Sequence, residues 1–146
     1  MKLNETILGY PDDNPKTQFG VEKTPLHLVP PTGIAYAAAA FQEGALKYGP
    51  YNWREKTISS SVYYSAMMRH MNKWWDGEDC DPDTGVPHVA SAIACLMMIP
   101  DAESIGMLND DRPTMGGAPV VHKQLENIVG QLKDLFAVPQ RDGRND

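Results

Sequence analysis

Between Val89 and Ile99 the sequence reads V-A-S-A-I-A-C-L-M-M-I, with Ser91 the one polar residue in the run. A helix with this composition is apolar on nearly every side, and it must be wrapped by other elements as the central helix of a bundle. The run is too short to span a bilayer. Pro87, preceded by Gly85, opens the helix, and Pro100 is expected to kink or end it near Ile99. His88 falls in the first turn, where its imidazole is expected to point at the preceding loop rather than into the core.

Three more helices supply the wrapping. One starts at Pro31 or Thr32 and carries the seam Ile34, Ala38, Phe41, Ala45 and Tyr48, with Ala37 to Ala40 allowing close packing and Gly49-Pro50 as the stop. A second runs from Ser59 or Ser60, whose hydroxyls can cap it, to Asp76, with Gly77 as the stop. It has two apolar stripes: Tyr64, Met68, Met71, Trp75, and Tyr63, Met67, His70, Trp74. Continued to Glu78, it would set His70, Trp74 and Glu78 along one wall. The last helix spans Pro119 to Phe136 with the seam Val121, Leu125, Ile128, Leu132, Leu135. The expectation is an all-α, four-helix arrangement completed by oligomerisation, as a homodimer or homotetramer, because a helix apolar on two sides needs neighbours on both. Residues 1–30, with four prolines, read as an extended arm in which T-P-L-H-L-V-P-P forms a short strand or a polyproline stretch. Residues 31–100 are the helical core, 101–118 a loop, and 119–146 the C-terminal helix with a frayed tail.

With 146 residues, 42% of them hydrophobic, the chain can build one real core. The net charge of −6 argues against a nucleic-acid binder. No signal-peptide core follows Met1, and Cys80 and Cys95 form no C-x-x-C pair, so reduced thiols and a cytoplasmic location, with no membrane partner, are expected.

The chemistry concentrates in Arg69 to His88, R-H-M-N-K-W-W-D-G-E-D-C-D-P-D-T-G-V-P-H. Asp76, Glu78, Asp79, Asp81 and Asp83 crowd five carboxylates into eight residues, flanked by His70 and His88. Clustered carboxylates repel unless a cation sits among them, and Mg²⁺ or Mn²⁺, as two or more ions, answers that need. The plain alternative is a solvated acidic turn. A calcium loop is excluded, because Thr84 and Ala90 stand where an EF-hand has Gly and an acidic residue. Upstream, Glu43 and Lys47 read either as an exposed ion pair or as a metal carboxylate beside a phosphate-binding ammonium. Tyr51, Asn52, Trp53 and Arg54 suit a nucleotide pocket or an aromatic plug at the end of a bundle. Lys16 and Lys23 are phosphate ligands or surface lysines.

The blocks K-Y-G-P-Y-N-W-R (Lys47–Arg54) and Arg69–His88 resemble the phage dATP/dGTP diphosphohydrolases, a branch of the MazG-like all-α nucleoside triphosphate pyrophosphohydrolases. The resemblance runs from about Lys23 to Ile99. The wider family holds Mg²⁺ with E-x-x-E and E-x-x-D on successive helices, and this chain has neither in strict form: Glu78 and Asp79 stand in place of the first, and His88 with Ser91 in place of the second. The resemblance implies hydrolysis of a purine deoxynucleoside triphosphate to the monophosphate and pyrophosphate. The metal set expected is Glu43, Glu78, Asp79, Asp83 and His88, with Asp81 in reserve. Glu78, Asp79, His70 and Lys47 are the expected catalytic groups, and Lys47, Asn52, Trp53, Arg54, Trp74 and Lys23 the expected substrate contacts. Rival readings are a phosphoribosyl-ATP pyrophosphohydrolase and a non-enzymatic acidic interaction protein. The chain lacks G-x-x-x-x-G-K and any His-Asp pair, which sets aside P-loop and HD-type phosphohydrolases.

Overall fold

Alanine decides how the three central helices meet. In the computed structural model, which describes residues 9–113 and 116–137, α2 (Pro31–Tyr48), α4 (Ser60–Trp75) and α5 (His88–Ser104) pack together. Their innermost contact is Ala40 of α2 against Ala90 and Ala94 of α5, bordered by Phe41, Val86 and Met98. Side chains this small let the helix backbones approach closely. The large residues are left at the margins. The buried stripe of α2 is therefore Ala37 and Ala40, not the expected seam: Ile34 and Tyr48 are exposed, and Ala38, Phe41, Ala45 and Tyr48 border a cavity instead. The expected central role of the Val89–Ile99 run is met, since α5 alone contributes six of the buried residues.

The α4 stripe of Tyr63, Met67 and His70 turns inward, while Tyr64 and Trp75 of the other stripe are 59% and 82% exposed. Helix α4 stops at Trp75 rather than reaching Glu78. Gly77, at φ +98, closes a Schellman turn in which its own N–H donates to the Trp74 carbonyl and the Glu78 N–H to that of Lys73. Its start is capped from afar. Neither Ser59 nor Ser60 caps it through its side chain; the Asp111 carboxylate accepts the Ser61 N–H at 2.8 Å and also its hydroxyl.

Helix α5 neither ends nor breaks at Pro100 but continues to Ser104. The missing donor falls on the exposed side, where Leu96 and Pro100 face water. Part of the expected 101–118 loop is thus helix, and another part is strand: β2 (Leu108–Asn109) pairs in parallel with β1 (Ile58–Ser59), Ile58 opposite Leu108. The N-terminal segment is not simply extended. It forms α1 (Pro15–Gly20), capped by the Asn14 side chain, and a 3₁₀ turn at Leu26–Leu28 where a strand or polyproline stretch was expected.

The chain divides into two compact units at Asp111/Arg112. The second holds α6 (Ala118–Leu135), close to the expected bounds, with the seam Val121, Leu125, Ile128, Leu132 and Leu135 about half exposed or more. Among the described residues, no helix is long and apolar enough to cross a membrane. The sequence at Met1 and the expected frayed tail at 141–146 lie outside the described residues.

Candidate functional site

The turn after α2 is built by two left-handed residues. Gly49, at φ +88, ends the helix, and Tyr51 adopts φ +59, ψ +29. That conformation costs a residue with a side chain roughly 1–2 kcal/mol, so surrounding contacts must hold it. They come from α3 (Asn52–Glu55) and from Asp101 on α5. Asp101 Oδ2 accepts the Trp53 indole N–H at 2.6 Å and the Arg54 Nε–H at 2.7 Å, while Oδ1 accepts Arg54 Nη2–H at 2.7 Å. These donors hold the Asp101 carboxyl down at about 2. Trp53 is fixed further by Phe41 and Tyr51, with ring centroids 5.3 Å and 5.7 Å away.

A second polar assembly joins α4, the acidic loop and α5. His88 is wholly buried, and its Nε2 lies 2.8 Å from Glu78 Oε1 while its Nδ1 lies 3.0 Å from His70 Nδ1. A carboxylate only accepts, so Nε2 of a neutral His88 carries the proton and its Nδ1 offers a lone pair. His70 then donates from Nδ1, which leaves Nε2 of His70 as the free acceptor of the chain. Burial lowers the His70 pKa, helped by His88, Lys73 and Arg69 and opposed by Glu43. A neutral imidazole at neutral pH is the form a proton acceptor needs.

The two assemblies face a common cavity of about 920 Å³ between α2, α3, α4 and α5, near the upper end of the size of small-molecule sites. Asn52, Trp53 and His70 line it, with Tyr51 and Phe41. Tyr63 lines it too; burial raises its phenol pKa although Asn52 hydrogen-bonds to it. Cys95, also in the wall, is a buried thiol pushed up by desolvation.

The remaining expected residues stand elsewhere. Arg54 is off the cavity with its fork closed on Asp101. Lys47 donates to Glu43 Oε1 at 2.6 Å, the i,i+4 ion pair, with Lys47 half exposed. This pair is near the other groups, since Glu43 raises the His70 pKa and Asp81 that of Lys47. Trp74 packs on Trp75 at 6.1 Å outside the cavity. Lys23 and Lys16 border a separate cavity of about 700 Å³ with Tyr10 and His27.

The acidic loop is tied by its own backbone. The His88 N–H donates to the Asp79 carbonyl, the Asp81 N–H to Val86 and the Gly85 N–H to Asp81. Asp81 Oδ1 accepts the N–H groups of Asp83 and Thr84, which lower its pKa. Asp79 and Asp83 are exposed. Among the described residues no three His, Cys, Asp or Glu side chains converge where a metal could sit. Of the expected set, Glu78 and His88 are hydrogen-bonded to each other, Glu43 is paired with Lys47, and Asp79 and Asp83 are exposed.

Sequence reasoning gave no role to Asp101 or Arg69 and placed Tyr63 only in an apolar stripe. Asp101 follows Pro100, which on sequence grounds ends the helix and leaves Asp101 in a loop. The i, i+7 spacing of Tyr63 and His70 already puts them on one face of α4, and Arg69, three residues after Ala66 and beside His70, borders the same cavity.

Two comparisons extend beyond the geometry. The family described as dATP/dGTP diphosphohydrolase, N-terminal, matches residues 13–112. A dATP/dGTP diphosphohydrolase of Salmonella phage PMBT28 is 31% identical over 111 residues, which are 76% of this chain and 38% of that protein. The chain therefore spans well under half the length of that relative. No solved structure matches it.

Proposed function

The chain belongs to the dATP/dGTP diphosphohydrolase N-terminal family, and from that premise we propose that it hydrolyses dATP and dGTP to the deoxynucleoside monophosphate and pyrophosphate. The observation that carries the reading is the single cavity onto which the Tyr51–Trp53 turn and His70 both open. A flat apolar wall with the Asn52 amide suits a purine. On the other side, His70 has a free ring nitrogen set by His88 and Glu78.

The oxygen of a water molecule bonds to the α-phosphorus, and its proton passes to His70 Nε2. The bond from the α-phosphorus to the oxygen bridging to the β-phosphorus breaks, and pyrophosphate leaves with the electron pair. Asp101 holds the turn and His88 holds His70, so the chain contributes position and a base to a reaction governed by both. The divalent ion enters here as part of the substrate. Mg²⁺ or Mn²⁺ would arrive on the triphosphate and reduce its charge, as suits an ion that keeps its waters and takes few carboxylates.

The test is to incubate each dNTP with Mg²⁺, with Mn²⁺ and with a chelator, and to resolve the products by ion exchange. The expected products from dGTP and dATP are dNMP and pyrophosphate, with pyrimidine substrates poorer and the chelated reaction silent. Early dGDP with free phosphate contradicts attack at the α-phosphorus, and no turnover of any dNTP removes the reading. We also propose that the chain assembles as a homodimer or homotetramer, on the exposure of Tyr64 and Trp75 along α4. A monomeric mass by light scattering at micromolar concentration would contradict it.

A further inference from the structure

We propose that Arg69 is the residue that grips the phosphate chain of the substrate. The inference rests on the triphosphate reading above and deepens it.

A nucleoside triphosphate is strongly anionic, and moving it from water against an apolar wall is costly unless a cation meets it. The positions that first suggest themselves are Lys47 and Arg54, but each is already answered by a carboxylate. Lys47 donates to Glu43, and the Arg54 fork lies on both oxygens of Asp101. Neither lines the cavity. Of the described residues that line it, Arg69 is the only Lys or Arg. It has no hydrogen bond or ion pair to any described residue. Its charge is felt inside the cavity wall, where it lowers the pKa of both Cys95 and His70. A guanidinium left unpaired beside a cavity keeps its planar fork for an outside anion, and phosphate oxygens match that fork bidentately.

Its place along α4 agrees. Tyr63, bonded to Asn52, marks the aromatic end of the cavity. Arg69 lies six residues further on, about 9 Å along the helix axis, and is adjacent in sequence to His70. A nucleotide with its base at Tyr51, Asn52 and Trp53 would therefore lay its phosphates toward Arg69, beside the proposed base.

Calorimetric binding to the full chain tests this with three probes: dGTP carrying a methylene bridge between the α- and β-phosphorus, inorganic pyrophosphate, and deoxyguanosine. For Arg69→Gln the expected result is a loss of roughly 10- to 100-fold in affinity for the dGTP analogue and for pyrophosphate, with deoxyguanosine unchanged. Arg69→Lys, which keeps the charge but not the fork, should recover part of the loss. Arg69 is exposed, so the thermal melt of both variants should match wild type. Wild-type affinity for the analogue in Arg69→Gln overturns the assignment while leaving the proposed activity standing. Equal loss of all three probes, or a lowered melt in both variants, assigns Arg69 a structural role instead. Failure of the wild-type chain to bind any dNTP analogue overturns the proposed activity and this inference together.

Discussion

Helix α5 holds a functional segment at each end, and it does so by opposite means. At its N-terminal end His88, 0% exposed, is the buried middle of a chain of hydrogen bonds whose outer members, Glu78 and His70, reach solvent and the cavity. Near its C-terminal end Asp101 collects Trp53 and Arg54 with a charged, bidentate contact that remains partly open to solvent. The second contact has the more favourable electrostatics by far, yet screening makes such surface pairs worth little to stability. The first is centred on a buried imidazole that has no water to fall back on, so taking a partner from His88 exposes its full desolvation penalty. The N-terminal end of α5 should therefore govern folding, and the C-terminal end the posture of the aromatic turn.

His88→Ala is the most severe way to try this. It opens a void in the core and leaves Glu78 and His70 without their partner, and the expected loss is about 2–5 kcal/mol in urea unfolding. A loss no larger than that of an ordinary surface substitution would break the comparison. His70→Gln should leave the fold closer to wild type and strike turnover. The expected fall in kcat for dGTP is roughly 10²- to 10⁴-fold if His70 takes the proton, and a change confined to KM would assign it to binding.

Asp101→Asn keeps the shape at the other end and removes the charge. Tm should fall by only a few degrees, while Trp53 fluorescence changes and KM for dGTP rises with little change in kcat, since the residue acts through the turn. A kcat effect as large as that of His70→Gln would mean that the two ends are not separable.

The smallest effect expected is in acid, and it separates the ends by pH. The folded His70 has a pKa below its unfolded 6.5, so its stabilising share is complete above that value and declines as pH falls below it. Asp101 is lowered from 3.8 to about 2, so its share is complete above 3.8 and is lost as pH drops toward 2. Melting curves from pH 8 to pH 2.5 should show two losses, and His70→Gln should erase the one nearer neutrality. Loss of the lower step in that variant would contradict the assignment.

The sequence by itself determined the four long helices and which of them is central. The all-round apolar run that became α5, the Gly49 and Gly77 stops and the Asn52, Trp53 and His70 cavity residues follow from periodicity and from what each side chain can do, and those are local properties. What only the tertiary structure decided is pairing. Arg54 looks free in the sequence, but Asp101 lies 47 residues from it, whereas the Lys47–Glu43 pair, one helical turn apart, is already legible in the spacing. The carboxylates clustered between Asp76 and Asp83 are adjacent in the sequence, but only the fold sets Glu78 against His88 and turns Asp81 onto its own loop. The same holds for α4, whose cap is Asp111, 50 residues on, rather than its own serines, and for Pro100, tolerated because its missing bond faces water. Spacing along a chain fixes which residues share a face. Which charge meets which depends on how distant segments fold back, and that is settled only when backbone and side chains compete for the same partners.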